Sequence, residues 1–387
     1  MNGKRILILI EHLNGGGAER VAAELSLSLE KRGHDVSLVC FEDRGTSYRH
    51  CKNCCSLDLP GSSSYLRKAV NLIRRIHRIR RMKRDRRIEA TVSFIENANL
   101  VNVLSKQNDR TICSIRTVLS NVSKRPFRRI LQQLTLQRAD CVVTLSEYVR
   151  QDLIDHFSLR PEHVRTIYNP CNLPVAAPVP TEKDRPFTVI TAGRLVNAKG
   201  QWHLIRAFSA FHRKHPDTRL IILGLGPLSE QLKELARAVE LETAVAFPGF
   251  VESPEKAFAN ADVFAFTSLW EGFGNAIVEA MACGLPVICA NCPGGPKEIL
   301  CGQDAPMMNE DGVYLAEYGI LISKFEEDDF RIDPSAPLGR SELALEKSME
   351  MLFLSDALRN RLKRASLERA LFFDPETIVN EWEHTFD

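Results

Sequence analysis

Long apolar runs are missing from this sequence of 387 residues. The run near its start covers only Ile6 to Ile10, and no other approaches the roughly twenty residues that a membrane span needs. We therefore expect neither a signal peptide nor a spanning helix, and a cytoplasmic protein. A disulfide framework is not expected either, because the 11 cysteines are an odd number scattered from Cys40 to Cys301.

A large net charge is also missing, since 51 Lys and Arg stand against 49 Asp and Glu. Near-neutrality hides an asymmetry: residues 1–180 carry 30 Lys and Arg against 17 Asp and Glu, whereas the remainder carries 21 against 32. A basic half of this kind typically meets phosphates, on nucleic acid or on an anionic membrane. Nucleic acid is the poorer candidate, because no binding motif accompanies the charge and aromatic residues are few there.

Strand-like and helix-like stretches alternate along the chain, stop at a proline-rich segment and then start again. This pattern predicts an α/β protein with two Rossmann-like domains, each built on a parallel sheet. We expect the sheets to face each other across a cleft that holds a ligand. The predicted parts are an N-terminal domain over 1–175, a linker over 176–186, a C-terminal domain over 187–372, and a terminal helix over 373–387 that packs back on the body.

Two loops that follow predicted strands have residues suited to a diphosphate. Gly15, Gly16 and Gly17 precede a helix, where backbone N–H groups can approach an anion, although such a turn is more often only a turn. Arg194 and Lys199 stand five residues apart in a glycine-flanked loop and can clamp a diphosphate from two directions. The alternative for this pair is solvated surface charge.

Two carboxylates bracket the start of a later helix. Glu271 lies in the loop before the helix and Glu279 lies within it. Backbone N–H groups at the positive helix end would come from Phe273, Gly274, Asn275 and Ala276. A diphosphate bound there leaves Glu279 for ribose hydroxyls. The alternative, an acidic first turn that stabilises its own helix, explains Glu279 poorly because it lies too far into the helix.

Taken together, these segments resemble the retaining glycosyltransferases of family four. The resemblance covers nearly the whole chain and rests on Gly193-Arg194-Leu195 with Lys199-Gly200, Gly224-x-Gly226-Pro227, Phe250-Val251 and Glu271-Gly-Phe-Gly-Asn-Ala-x-x-Glu279. It implies the GT-B fold, a UDP-sugar donor and a metal-independent reaction, in agreement with the missing D-x-D motif. Within the family the chain is most similar to bacterial enzymes that extend lipid-linked oligosaccharides, capsular polysaccharide or lipopolysaccharide.

The resemblance also gives each residue a role. Arg194 and Lys199 would neutralise the leaving diphosphate, and Glu271 would contact the donor sugar; these three are the predicted catalytic residues. The remaining donor contacts would be N–H groups of Gly16 and Gly17, the helix end at Phe273 to Ala276, Glu279 at the ribose, and Phe250 and Val251 at the base. Many relatives carry a histidine where this chain has Arg116, which binds an acceptor phosphate or is simply a surface arginine.

A basic amphipathic helix is predicted over residues 67–87, which hold eleven Lys and Arg against one acid, Asp85. Its apolar residues are expected to keep one face. Such a helix can lie on an anionic membrane or hold a polyprenyl diphosphate, with Arg74, Arg75 and Arg78 among its contacts. The alternative is a solvated helix. Residues 124–134 form a second, weaker basic and apolar stretch.

The predicted function is transfer of a hexosyl or N-acetylhexosaminyl group from a nucleotide sugar to a lipid-linked or cell-surface glycan. The enzyme would be peripheral on the inner face of the cytoplasmic membrane and would need no metal or cofactor. Two alternatives stay open: a UDP-sugar epimerase of GT-B-like fold, and a non-catalytic sugar-nucleotide binder. Dependence on an acceptor separates the three.

Overall fold

The structure is a computed structural model that describes residues 3–14, 16–45, 48–61, 64–122, 125–172, 185–251, 253–302, 308–326 and 336–387. Two compact units are present: one holds the described residues up to Pro170 together with Pro375–Asp387, and the other extends from Cys171 to Asp374. The predicted linker lies outside the described residues up to residue 184, as does Gly15. Cys171, placed by the sequence in the first domain, belongs to the second unit because its N–H donates to the Phe373 carbonyl (2.8 Å).

The first unit is built on a seven-stranded parallel sheet. Its strands are β1 (Arg5–Ile10), β2 (Asp35–Cys40), β3 (Asn53–Ser56), β4 (Ala90–Phe94), β5 (Arg110–Ile115), β6 (Cys141–Thr144) and β7 (Val164–Thr166). Its helices up to Pro170 are α1 (Gly17–Lys31), α2 (Tyr65–Asp85), α3 (Glu96–Leu104), α4 (Leu119–Val122), α5 (Pro126–Arg138) and α6 (Glu147–Phe157). The strand order β3-β2-β1-β4-β5-β6-β7 reverses between β1 and β4.

Alternation along β1 gives the first unit its two-sided core. Ile6, Ile8 and Ile10 pack with α1 on one face of the sheet, and Leu7 and Leu9 pack with α2 and α3 on the other. All five side chains are fully buried. A strand covered on both faces needs apolar residues at every position, which is why β1 is an unbroken apolar run in the sequence.

The second unit repeats this architecture with one antiparallel edge strand. Its strands are β8 (Phe187–Ala192), β9 (Thr218–Leu223), β10 (Val245–Gly249), β11 (Val263–Phe266), β12 (Val287–Ala290), β13 (Val313–Leu315) and β14 (Ile320–Ile322). Its helices are α7 (Gln201–Lys214), α8 (Ser229–Ala238), α9 (Glu255–Ala259), α10 (Asn275–Ala282), α11 (Pro296–Cys301), α12 (Arg340–Leu354) and α13 (Asp356–Ala370). The order β10-β9-β8-β11-β12-β14-β13 reverses between β8 and β11, and only β13 and β14 pair antiparallel. Two Rossmann-like α/β units are therefore confirmed.

The chain returns to the first unit at its end, through α14 (Pro375–Glu383). Trp382 is buried there, with its ring 5.9 Å from the Phe94 ring. At the rim, the Arg32 guanidinium bonds the Glu376 carboxylate (2.6 Å) and the Glu383 carboxylate (2.7 Å). The last helix thus completes the core of the unit that the first residues begin.

Candidate active site

The loops after β8, β9 and β10 are joined by backbone hydrogen bonds at the carboxyl edge of the second sheet. Gly193 N–H donates to the Leu223 carbonyl (3.0 Å), and Gly224 N–H donates to the Gly249 carbonyl (2.8 Å). Gly224 has a φ of 131°, and a Cβ there would collide with the Gly193 carbonyl oxygen. Only glycine allows these two strand ends to approach so closely.

The loop after β8 is also fixed to the loop after β11, across the point where the strand order reverses. Leu269 N–H donates to the Ala198 carbonyl (2.8 Å), and Thr267 Oγ1 donates to the Lys199 carbonyl (3.0 Å). Ligands of open α/β sheets bind at such a reversal, outside the carboxyl ends of the strands. Lys199 is therefore held at the position where a donor is expected.

A third set of bonds joins the loop after β11 to the loop after β12. Glu271 N–H donates to the Pro293 carbonyl (2.9 Å), and Gly295 N–H donates to the Gly272 carbonyl (3.1 Å). Gly294, with a φ of 127°, leaves no room for a Cβ against the Glu271 carbonyl. The sequence analysis gave Gly294 no role, although glycines between a strand and a helix are a signal for it.

Lys199 and Glu271 form an ion pair at the centre of these loops. Ser268 Oγ donates to the same carboxylate oxygen (3.3 Å), and the Lys199 ammonium lies 5.3 Å from the centroid of the Phe266 ring. The family resemblance implies separate roles for the two residues, one at the diphosphate and one at the donor sugar. The structure brings them together, so an anionic ligand would compete with Glu271 for the ammonium.

The Lys199 ammonium and the Arg194 guanidinium have different surroundings at this edge of the sheet. Burial lowers the pKa of the Lys199 ammonium, and the positive charge of Arg194 acts in the same direction. Arg194 is exposed, and its guanidinium makes no hydrogen bond or ion pair to any residue in the described part of the chain. Its donors are available to an anion.

Helix α10 follows Glu271 after a short loop. It starts at Asn275, after Gly274 in the left-handed conformation (φ 104°). Phe273 is buried, with its ring edge-on to the Phe373 ring at 5.4 Å, so its side chain anchors the loop and only its backbone can serve a ligand. First-turn N–H groups point out of a helix N-terminus and favour an anion there. Ala276 belongs to this first turn.

The predicted base and ribose contacts flank this centre. Phe250 and Val251 follow β10, and Phe250 is 74% exposed. Leu225, which the sequence analysis gave no role, is 60% exposed at the end of β9. Glu279 is half-buried in the second turn of α10. An exposed ring beside an exposed leucine is the kind of surface on which a planar base can stack.

Gly16 and Gly17 lie at the N-terminus of α1 in the first unit, with Gly16 as the capping residue. Glu19 is buried in the first helical turn, 3.7 Å from His12 Nδ1, and a Cβ on Gly16 would collide with its carboxylate. This helix end therefore already has a negative charge next to its N–H groups. The contact of these glycines with the donor stays a prediction.

Arg116 is not the solvated surface arginine that was one of its two alternatives. It is half-buried after β5, donates to the Asn169 side-chain oxygen and lies 5.6 Å from the centroid of the Phe94 ring. Burial lowers the pKa of Arg116 to about 10. Its second alternative, an acceptor phosphate, stays a prediction.

The strand-order reversal of the first unit carries a polar pair that the sequence analysis missed. Asn97 donates a side-chain hydrogen bond to the Glu11 carboxylate, so the first turn of α3 is joined to the residue that follows β1. Between β4 and Asn97, Ile95 has a φ of 74°, a strained conformation for a β-branched residue. A polar residue directly after an apolar strand was the available signal for Glu11. No sequence signal indicates the strain at Ile95.

In helix α2, the residues that face solvent are not all the ones that were predicted to do so. Arg75 lies 4.5 Å from the centroid of the Phe41 ring and donates to the Leu59 carbonyl (3.0 Å), while Arg78 donates to the Leu57 carbonyl (2.6 Å). These bonds fix the segment that precedes α2. Among the three predicted contacts, Arg74 alone is exposed without a hydrogen bond to another described residue.

The apolar residues of α2 do not keep one face. Ile79 is buried, whereas Leu66 is 81% and Ile73 67% exposed. The cations also divide, because Lys83 is fully buried in an ion pair with Asp109 (2.8 Å). The outer surface of α2 is thus apolar near its start and basic near its end.

No helix in the described part of the chain is long and apolar enough to cross a membrane. All eleven cysteines are free thiols. Among the described residues, no three His, Cys, Asp or Glu side chains are placed to share a metal ion.

Sequence comparison relates both halves of the chain to known glycosyltransferases. The family model "Glycosyltransferase Family 4" matches residues 15–174, and the family model "Glycosyl transferases group 1" matches residues 176–311. A glycosyltransferase of Methanocaldococcus jannaschii is 39% identical over 197 residues, which are 51% of this chain and 48% of that relative. The chain thus spans about half the length of that relative.

Two further proteins match over almost their whole length. The Campylobacter jejuni N-acetylgalactosamine-N,N'-diacetylbacillosaminyl-diphospho-undecaprenol 4-alpha-N-acetylgalactosaminyltransferase is 26% identical over 397 residues, 98% of each chain. The crystal structure of HepE from Anabaena in complex with UDP superposes with a TM-score of 0.74 at 20% identity, over 98% of this chain and 99% of HepE. With adjacent matches to two glycosyltransferase family models and two Rossmann-like units, the chain belongs to the family-four glycosyltransferases of GT-B fold.

Proposed function

We propose that the protein transfers a hexosyl or N-acetylhexosaminyl group from a UDP-sugar to a lipid-linked or cell-surface glycan, with retention and without a metal. The carrying observation is the meeting of Arg194, Lys199, Glu271 and the start of α10 at one sheet edge. The name of the Campylobacter relative describes an acceptor on diphospho-undecaprenol, and the Anabaena structure holds UDP. Both support this choice of donor and acceptor.

Charge stabilisation is the chemistry this edge can supply. As the glycosidic bond breaks, negative charge grows on the diphosphate. That charge is stabilised by the Arg194 guanidinium, the Lys199 ammonium and the N–H groups of α10. Once a diphosphate engages Lys199, the Glu271 carboxylate is released to bind a hydroxyl of the donor sugar. Glu279 holds the ribose, and Phe250 with Val251 receives the base.

Acceptor dependence tests the proposal. The purified protein is incubated with a panel of UDP-sugars, with and without bacterial membrane lipid extract, and released UDP and modified lipid are measured. We expect UDP release chiefly when lipid is present, with a lipid product heavier by one sugar. Isomerisation of the UDP-sugar without acceptor would support the epimerase instead, and tight UDP binding without turnover would support the non-catalytic binder.

Chelation should leave the transfer rate unchanged. Arginine, lysine and helix N–H groups take the place of a metal ion at the diphosphate, so no divalent cation is required. The rate is measured with EDTA and again after Mg²⁺ or Mn²⁺ is added back. Loss with EDTA and recovery with either ion would contradict metal independence.

The two glutamates should affect different steps. Glu279→Gln is expected to weaken UDP binding about tenfold with a smaller change in kcat, because it removes charge-assisted hydrogen bonds to the ribose. Glu271→Gln should lower kcat about tenfold or more while UDP affinity stays the same or rises, because Lys199 loses its competing partner. Binding titration with UDP and steady-state kinetics separate the two effects. The reverse pattern would exchange the two roles.

We also propose that the outer surface of α2 brings the enzyme to the anionic inner face of the cytoplasmic membrane. Exposed Leu66, Val70 and Ile73 lie at helical spacing on one side of α2, with exposed Arg67 and Arg74 beside them. Such a surface places apolar side chains in the interface and cations at lipid phosphates. Arg75 and Arg78 are not needed for this contact, since they bond carbonyl groups of the protein.

Replacing Arg67 and Arg74 with Gln should weaken binding to anionic vesicles. Each cation near the surface contributes about 1 kcal/mol, so the pair corresponds to roughly 30-fold at low salt. The attraction is screened over about 8 Å at physiological ionic strength, so the difference should shrink as salt rises. Vesicle co-sedimentation measures it. Arg361→Gln with Arg364→Gln, two exposed arginines of α13, is the control of equal charge, and an equal loss in both variants would contradict a specific role of α2.

A further inference from the structure

A half-open cavity of about 120 Å³ lies in the first unit between α3 and α5. Its apolar walls are the side chains of Leu100, Ile115, Leu119, Leu131 and Leu136. Ile115, Leu119 and Leu136 are almost fully buried, whereas Leu131 at the mouth is 39% exposed. An apolar cavity of this size holds a hydrocarbon segment of roughly five carbons.

Key polar groups of the cavity lining are already paired. Asn99 accepts a hydrogen bond from Ser93 Oγ (2.7 Å) and donates to the Ser114 carbonyl (3.2 Å). Arg128 bonds the Glu96 carboxylate (2.6 Å). A polar ligand would have to break the bonds of buried Asn99, which is costly, whereas a hydrocarbon leaves them intact. The lining therefore favours an apolar ligand.

An apolar stripe runs from the cavity mouth along the outside of α5. Its residues recur at the spacing of one helical face and are all exposed: Phe127 at 79%, Ile130 at 55%, Leu131 at 39% and Leu134 at 44%. A helical stripe of this kind normally faces a protein core, and one that faces solvent marks an interaction surface. Leu131 belongs to both the stripe and the cavity.

Positive charge accompanies the stripe at its start. Arg125, Arg128 and Arg129 are all exposed at the N-terminal part of α5. Arg128 pairs with Glu96 and Arg129 donates to the His156 carbonyl (2.6 Å), so Arg125 is the cation that can meet a ligand without breaking a bond. Helix α3 contacts both α5 and α2, and the outer surface of α2 carries further cations. A ligand that complements this surface has a hydrocarbon chain and an anionic head group.

We infer that the cavity and stripe bind the hydrocarbon chain of the lipid-borne acceptor, with its anionic head group beside Arg125 at the start of α5. The inference rests on the proposed function, since it assigns a site to the acceptor of that reaction. The first carbons of the chain enter the cavity past Leu131, and the rest follow the stripe towards the membrane. Lipid recognition then includes the chain as well as the glycan.

The test uses the full chain and dodecyl phosphate, with inorganic phosphate as the head-group control. We expect dodecyl phosphate to bind and inorganic phosphate to bind at least about tenfold more weakly, because the chain supplies the apolar burial. Leu131→Trp, which fills the cavity, should weaken dodecyl phosphate binding about tenfold. The control Leu354→Trp changes an exposed leucine of α12 in the second unit and should leave the binding unchanged. UDP affinity should be unchanged in both variants.

A second variant, Leu131→Gln, keeps the test valid if Leu131→Trp misfolds, because this partly exposed position tolerates a polar side chain. Equal binding of dodecyl phosphate by the parent and both Leu131 variants would overturn the inference. So would transfer at equal kcat/KM to the same glycan on a three-carbon chain and on a long chain, although the proposed function would then stand. Binding of dodecyl phosphate that depends on Leu131, without sugar transfer to any lipid, would keep the site and refute the proposed function.

Discussion

Arg194→Ala and Lys199→Ala will each slow sugar transfer by about a hundredfold or more while the protein stays folded. Both remove a cation from a group whose negative charge grows in the transition state, and such preorganised charges contribute most in a partly buried site. The Arg194 side chain is exposed and makes no hydrogen bond or ion pair among the described residues, so its loss leaves the packing unchanged. Initial rates at saturating UDP-sugar and lipid acceptor, with thermal unfolding as the folding check, measure the effect.

Lys233→Ala is the matched control for this pair. Lys233 is a cation of the second unit that pairs with Glu230 (2.8 Å) on the surface of α8. Its removal should change the rate less than twofold or so, because an exposed ion pair contributes little. Near-normal turnover in Arg194→Ala and Lys199→Ala would refute the donor assignment.

The ion pair calls for a second test of Lys199, because removing Lys199 also leaves Glu271 without its partner. If Lys199 acts only by positioning Glu271, the double variant Lys199→Ala/Glu271→Gln will be no slower than Glu271→Gln alone. If the ammonium contacts the diphosphate, the double variant will be slower than either single variant. We expect the second result, and with it a weaker affinity for UDP in every variant that lacks Lys199.

Lys83→Met will destabilise the protein by about 3–5 kcal/mol. Lys83 and Asp109 are both fully buried and joined at 2.8 Å, and Lys83 also donates to Asn102 Oδ1 (2.8 Å). Burial lowers the pKa of Lys83, and the Asp109 charge works against that change. Removing the cation leaves the carboxylate buried and uncompensated, which costs far more than the pair itself contributes. Urea unfolding followed by circular dichroism gives the free energy of unfolding.

Two further variants test whether the stability lost in Lys83→Met comes from the uncompensated Asp109 carboxylate. Lys83→Met with Asp109→Asn removes both charges and should recover most of the lost stability, because Asn can still accept the bond from Thr91 Oγ1 (2.6 Å). Lys106→Met breaks a more exposed pair with Asp140 and should cost no more than about 1 kcal/mol. If Lys83→Met is as mild as Lys106→Met, the buried pair does not hold α2 to the sheet.

Longer elements of the fold follow from local sequence pattern. The apolar run Ile6 to Ile10 predicts β1, because a strand covered on both faces must be apolar throughout. β3, β13 and β14 have no run of five apolar residues to mark them. Their pairing depends on neighbouring strands that the sequence does not place.

The candidate site also has features that the sequence determines and features that only the tertiary structure decides. The sequence alone determined which residue types stand after the strand ends, because glycines, cations and carboxylates in those loops are visible locally. Only tertiary structure decided that Lys199 pairs with Glu271, 72 residues away, and that Arg116 bonds Asn169, 53 residues away. Loop-to-loop geometry at a sheet edge is set by strand order, which local periodicity does not encode.

Which side of each basic helix meets solvent was also settled by tertiary structure. Helical spacing showed that α2 has apolar and basic residues, but it predicted a single apolar face, whereas Ile79 is buried and Ile73 exposed. Lys83 is likewise one of eleven similar cations in sequence, and only its position opposite Asp109 makes it part of the core. Periodicity fixes the relative direction of side chains along a helix, whereas burial depends on what packs against each direction.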